Sequence, residues 1–109
     1  MAMEKESNRI RFRPVEEAIH KISKKWAIIT IGVLGNHGTM RFNELLEHHP
    51  GQSPKALSDV LKLLQEEGLV MRESFNEIPP RVEYSLTKDG RELRDALMPL
   101  LAWAEKRRR

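Results

Sequence analysis

At 109 residues the chain is long enough for one domain with its own core and too short to add a separate substrate domain. It contains no cysteine, which excludes disulfides, thiolate metal sites and thiol redox switches within it. The formal charge is +3, but residues 1–13 hold four basic and two acidic groups and residues 106–109 are all basic, leaving 11 basic against 14 acidic groups between them. Positive charge is therefore concentrated at the two ends, and an acidic partner has to be argued from individually placed cations. No apolar run approaches the ~20 residues that cross a bilayer. Residues 1–14 are too polar for a secretory leader, so the expectation is a cytoplasmic protein with no membrane partner.

In chain order, residues 1–13 lack apolar periodicity and read as a mobile basic arm. Arg9, Arg11 and Arg13 with Phe12 could track a phosphate backbone, although a solvated tail is the plainer reading. Pro14 opens a helix in which Val15, Ala18, Ile19 and Ile22 share one face, with Glu16 and Glu17 near its positive end. Residues 27–34 are apolar apart from Thr30 and Gly32. Their isoleucines suit a strand, but the absence of two-residue alternation and the helical neighbours favour a helix. Residues 35–38, Gly-Asn-His-Gly, read as a turn. A short helix at 43–47 follows, with Phe42, Leu45 and Leu46 inward, and residues 48–52 form a connector in which His48 and His49 read as a loop pair.

The next helix, over 54–67, is the best specified. Ser53 is an N-cap, Pro54 suits the first helical position, and Gly68 supplies the left-handed residue beyond the last turn. Leu57, Val60, Leu61 and Leu64 make one apolar stripe, while Lys55, Ser58, Asp59 and Lys62 fall on the other side. After Gly68 the period becomes strand-like at 69–73 and again at 81–86, where Val82, Tyr84 and Leu86 share a side. The Pro79-Pro80 pair should make the intervening tip protrude as a wing. Thr87 caps a helix over 88–98 with Leu93 and Leu97 inward. Pro99 then kinks it, or starts another through Leu100, Leu101 and Trp103.

Two short helices around a tight turn, followed by a hairpin, match a winged helix-turn-helix: a mainly α fold with a small β wing. In that arrangement the 54–67 helix projects as a major-groove reader and the wing, at 74–81, lies on the backbone or in the minor groove. The candidate DNA-binding residues are Arg41, Ser53, Lys55, Ser58, Asp59, Lys62 and Arg81. For each the bland alternative is a solvated surface residue. Apolar surface on the first and last helices exceeds what one small body covers, which implies a partner surface carrying Val15, Ala18, Ile19, Ile22, Leu97, Leu100, Leu101 and Trp103.

The residues do not suggest an enzyme. The four histidines lack metal spacing, the Glu16-Glu17 and Glu66-Glu67 pairs suit helix ends, and neither a nucleophile motif nor a phosphate-cradling loop is present. No cofactor or metal is expected. The rival reading is a winged-helix protein-interaction module without DNA binding, which the acidic middle of the chain and Asp59 allow. A small-molecule effector pocket at a dimer seam, lined by Trp26, Trp103 or Tyr84, is a further option, though such aromatics more often serve a core.

Several motifs in order carry a resemblance: Lys25-Trp26, Arg41-Phe42-Asn43-Glu44-Leu45, Ser53-Pro54-Lys55-Ala56-Leu57-Ser58, Glu67-Gly68-Leu69-Val70, and Pro79-Pro80-Arg81-Val82-Glu83-Tyr84-Ser85-Leu86-Thr87 with Gly90 and Leu93. Over residues 14–105 the chain resembles the HxlR-type, MarR-like winged helix-turn-helix transcriptional regulators. The resemblance implies a homodimer joined through the first and last helices, with duplex DNA as partner. It leaves 1–13 as an arm and 106–109 as a basic tail. Two departures stand out. Family members commonly place a cysteine before the proline that opens the first helix, where this chain has Arg13. They also often carry glutamine and arginine where it has Asp59 and Val60, so the DNA target does not transfer.

Overall fold

The computed structural model describes residues 12–108, with side chains from Val15 onward. The arm expected at 1–13 lies outside them except for its last two residues. The elements run α1 (Phe12–Ile22), α2 (Lys25–His37), β1 (Met40–Arg41), α3 (Phe42–Glu47), α4 (Pro54–Glu66), β2 (Val70–Phe75), β3 (Arg81–Leu86) and α5 (Lys88–Arg107). This is the expected mainly α fold with a small β wing.

The centre of the molecule is α2, the helix that is apolar on nearly every side. Ala27, Thr30, Ile31 and Leu34 are buried, and α4, β3 and α5 all pack against it. The four buried residues share one face at helical spacing, while Ile28, Ile29, Gly32 and Val33 on the other sides are half-buried. Leu57, Leu61 and Leu64 of α4, Leu45 of α3, Met40, Val70, Tyr84 and Leu86 complete the core.

Local sequence fixes both ends of α4. The Ser53 hydroxyl accepts from the Ala56 N–H at 3.0 Å, and Pro54 takes the first helical position. At the far end Gly68, at φ +74°, allows the Gly68 N–H to reach the Gln65 carbonyl at 3.0 Å and the Leu69 N–H to reach the Leu64 carbonyl at 2.9 Å. These paired bonds satisfy carbonyls that a helix end otherwise leaves open.

Beyond the expected hairpin there is a third strand. The sheet order is β1-β3-β2, all antiparallel, with Met40 opposite Tyr84 and Arg41 opposite Glu83. Three other boundaries also differ from expectation. The glycine turn begins only at Gly38, because α2 continues through His37 and Gly35 is helical; a Cβ there would meet Arg94 of α5 at 2.6 Å, so Gly35 is a contact point between helices. The first helix starts at Phe12, two residues before Pro14, which falls within its first turn. The last helix neither stops nor restarts at Pro99. It runs unbroken to Arg107, and Pro99 and Asp95, whose carbonyl the proline leaves without a helical donor, are both exposed, so water can satisfy that carbonyl. Lys106 and Arg107 thus form its last turn.

Thr87 joins the two halves of the fold. Its Oγ1 accepts from the Gly90 N–H at 3.0 Å, donates to the Gly68 carbonyl at 2.6 Å, and its own N–H reaches the Leu69 carbonyl at 3.1 Å. The start of α5 is thereby clamped to the end of α4. A Cβ at Gly90 would collide with the Leu69 carbonyl. Gly90→Ala should accordingly cost about 1–3 kcal/mol, the usual range for overpacking. Urea denaturation followed by far-UV circular dichroism measures this, and an unchanged midpoint would show that the two segments are not in contact.

Candidate nucleic-acid interface

With its stripe of leucines turned inward, α4 presents Lys55, Ser58, Asp59 and Lys62 outward, all exposed. The spacing of three and four residues puts them in one strip along the helix. Within that strip Lys55 Nζ lies 3.1 Å from Asp59 Oδ2, one turn away, with side chains 85% and 65% exposed. The strip therefore combines donors and an acceptor with little net charge. Ser53, at its head, already spends its hydroxyl as an acceptor in the helix cap, which leaves the hydroxyl proton for an outside acceptor.

Arg41 is exposed at the start of α3. Its backbone N–H donates to Glu44 Oε1 at 2.8 Å, half of a capping box that fixes where the helix begins. Its strand partner Glu83 is also the cross-strand neighbour of Glu73.

Arg81 is the most committed of the sequence-derived candidates. Its guanidinium lies 2.9 Å from Glu77, 3.3 Å from Glu83 and 3.9 Å from the centroid of the Phe75 ring, and its Nε is buried without a hydrogen-bond partner. At 28% exposure it braces the base of the wing tip more than it projects from it. The tip itself presents Ile78, fully exposed beside Pro79.

The eight candidate partner-surface residues fall on α1 and α5. Ile19, Leu100 and Trp103 are 55%, 50% and 56% exposed, Val15 and Ala18 are also exposed, and Ile22, Leu97 and Leu101 are half-buried. Leu97 packs against the core and Leu101 lies over Gly32 of α2, so these two also hold α5 to the body. The three aromatics suggested for an effector pocket lie apart in the structure's elements. Tyr84 is buried on β3, Trp26 packs on His49, and Trp103 lies outward beneath Arg107. None of them lines the cleft of about 490 Å³ between α2, the hairpin and α5, which is bordered by Arg91, Arg94 and Asp95.

Two histidine contacts were not legible in sequence. His37 and His48, eleven residues apart, bring their rings within 4.7 Å beside Glu44 and Glu47, although no three metal-ligating side chains converge among the described residues. His48 and His49 both lie in the connector after α3, as expected, but His49 is buried at 1% exposure, which the sequence does not signal. Neither contact has a local sequence signal, since each partner lies on another element.

Comparison with known proteins agrees with this geometry. A family model described as HxlR-like helix-turn-helix matches residues 21–109. The chain is 38% identical over 87 residues to the uncharacterized HTH-type transcriptional regulator sll1512 of Synechocystis, covering 80% of this chain and 64% of that protein, so it spans just under two thirds of this relative. Among solved structures, it is similar to a transcriptional regulator of the MarR family from Enterococcus faecalis V583, with a TM-score of 0.78, 40% identity, and coverage of 89% of this chain and 87% of the other. It also resembles the reduced form of the transcriptional regulator YodB from B. subtilis, with a TM-score of 0.75, 33% identity, and coverage of 89% and 94%.

The Lys55–Asp59 pair is solvent-exposed, where ion pairs one turn apart on a helix contribute only about 0.3–0.5 kcal/mol. Asp59→Asn should therefore shift unfolding stability by no more than about 0.5 kcal/mol. Thermal and urea denaturation of both proteins measures the shift; a loss well beyond that would mean that Asp59 supports the fold and cannot serve as a neutral probe of the surface.

Proposed function

This chain belongs to the HxlR-like helix-turn-helix family of transcriptional regulators, and from that premise we propose that it acts as a homodimer which reads duplex DNA with the outer strip of α4. The observation that carries the reading is that strip: four polar residues at helical spacing, none used by the core, on a helix that both ends hold rigidly. In this role Lys55 and Lys62 contact phosphates or guanine edges, Ser53 and Ser58 hydrogen-bond to phosphate or base, and Asp59 accepts from a base amino group such as that of cytosine. Arg41 clamps a phosphate beside the groove. The wing lies on the backbone or minor groove, and Arg81 contributes either by direct contact or by bracing the tip.

Ile19, Leu100 and Trp103 support dimerisation through α1 and α5, because large apolar side chains this exposed favour a covering surface. A two-fold dimer predicts an inverted-repeat operator with half-sites about 34 Å apart. No helix among the described residues is long and apolar enough to cross a membrane, and the proposed DNA partner supports a cytoplasmic location. These 109 residues contain no cysteine, so no thiol among them carries a signal, and a small-molecule effector is the alternative proposed. A second reading, a protein-interaction module without DNA binding, is favoured by one observation: the cations at Lys55 and Arg81 are already engaged by carboxylates.

Fluorescence anisotropy with the duplex upstream of the protein's own coding region, and with a scrambled duplex, separates the two. A regulator should prefer the native duplex by roughly a thousandfold, with both affinities falling as salt rises. Absence of binding to either duplex at low salt would favour the interaction module. Asp59→Asn should tighten nonspecific binding severalfold at low salt, since it removes an anion from the contact face and releases Lys55. Equal affinity would place Asp59 away from the DNA. In sedimentation experiments Leu100→Glu should yield a monomer, and a dimer of unchanged stability would move the interface elsewhere.

A further inference from the structure

Two polar side chains among the described residues are fully buried, Thr30 at 0% and His49 at 1% exposure, and they are bonded to each other. His49 Nδ1 lies 2.6 Å from the Leu45 carbonyl. A carbonyl only accepts, so Nδ1 carries the proton, and in the neutral ring Nε2 is then an acceptor. Thr30 Oγ1 lies 2.7 Å from Nε2 and also 2.7 Å from the Trp26 carbonyl, so its one proton is placed between two acceptors. Trp26 covers the imidazole, with ring centroids 5.1 Å apart. The result is a continuous polar chain from the backbone of α2, through Thr30 and His49, to the backbone of α3.

This chain ends at the turn that launches α4. The His49 carbonyl accepts from the Gln52 N–H at 2.9 Å, Gly51 takes φ +83°, and Ser53 caps the helix directly afterwards. Leucine packing holds α4 against the body, but it is non-directional and tolerates small rotations. Hydrogen bonds are directional, and buried ones are costly to leave unmade. A rotation of about 10° at Pro54 would carry Lys62, roughly 12 Å along the axis, sideways by about 2 Å. Such a shift is enough to lose a base contact.

We propose that His49, held by Thr30, is the positioning residue of the reading head: its two ring bonds set where α4 starts and at what angle it leaves the body. The role rests on the DNA-reading function proposed above. Its energetic logic is distinct from that of core packing, which an apolar pair of similar size could supply.

That difference provides the test. Thr30→Val strands the buried His49 Nε2 and should lower Tm by several degrees, His49→Leu leaves the Thr30 hydroxyl its Trp26 carbonyl, and the double variant, which removes both polar groups, should recover most of the Thr30→Val loss. At a temperature where every variant is folded, the double variant should still bind the native duplex about tenfold more weakly than wild type. Thr30→Ser, which keeps the hydroxyl, should stay within twofold. Recovery of both Tm and affinity in the double variant, or a Thr30→Ser protein as weak as Thr30→Val, would overturn the proposal. A DNA-free arm uses nitroxides at Lys24→Cys and Lys62→Cys, which label uniquely in a chain without cysteine, diluted with unlabelled protein. The distance distribution should broaden or shift in the double variant. If wild type binds no duplex, the DNA-reading function fails, and the spin distances alone decide: a wild-type distribution in the double variant rejects a positioning role for His49.

Discussion

The packing of α2, whose Ala27, Thr30, Ile31 and Leu34 form one buried face, is the constraint from which the rest of the architecture follows. Its sequence offers no polar face for water, so one flank must meet α4, another the sheet and a third α5. Small residues at Gly32 and Gly35 bring α5 close, with Leu101 over the first and Arg94 across the second. On another flank the same helix carries Thr30, a polar side chain that burial obliges to find a partner, and His49 provides it. The element that looks least functional by composition thus determines where the exposed ones stand.

Charge placement is a second organising theme. The exposed strip of α4 and the wing both contain cations, yet carboxylates hold the two most prominent of them. Lys55 is paired one turn along its own helix, and Arg81 is caught between Glu77, Glu83 and the Phe75 ring. The first pair is exposed, so Lys55 can leave Asp59 at little cost. The second is partly buried, so Arg81 can leave only by exposing the ring it covers, and its principal contribution is to keep the tip in one conformation. If the strip reads DNA as proposed, its low net charge would limit nonspecific attraction and leave discrimination to hydrogen-bond geometry, which would increase the value of a fixed mounting.

The parts of this design that were legible in sequence are those written in local chemistry. Ser53, Pro54 and Gly68 bound α4 because capping and left-handed backbone depend on residues within a turn of each other, and the alternation at Val82, Tyr84 and Leu86 marks β3 for the same reason. The strand at Met40–Arg41 is two residues long and exists only through its pairing with β3, so no window of sequence could display it. Gly35 resembles a turn residue until Arg94, 59 positions later, gives its missing Cβ a different meaning. The two adjacent histidines look alike on paper, yet one is exposed and the other is enclosed by partners on α2. For the candidate interface, residue types and their common face were readable; which cations were already engaged was not.

Both ends of α4 are tied to the body by side-chain hydrogen bonds, but to different helices. At its start the tie runs through His49 to Thr30 on α2, and at its end through Thr87, whose hydroxyl serves the α5 cap and the Gly68 carbonyl together. Since α2 and α5 are themselves in close contact, these ties place α4 on a closed frame, joined at its start across the turn at residues 50–52. If two copies join through α1 and α5, the spacing and tilt of the paired α4 helices are set by that frame and not by the flexibility of a linker. A signal that altered the seam would then have to move α5 and α4 together, because Thr87 leaves no slack between them. In the proposed dimer the frame would convert a change at the contact between copies into a change in the distance between the two α4 helices, the quantity on which recognition of two half-sites depends.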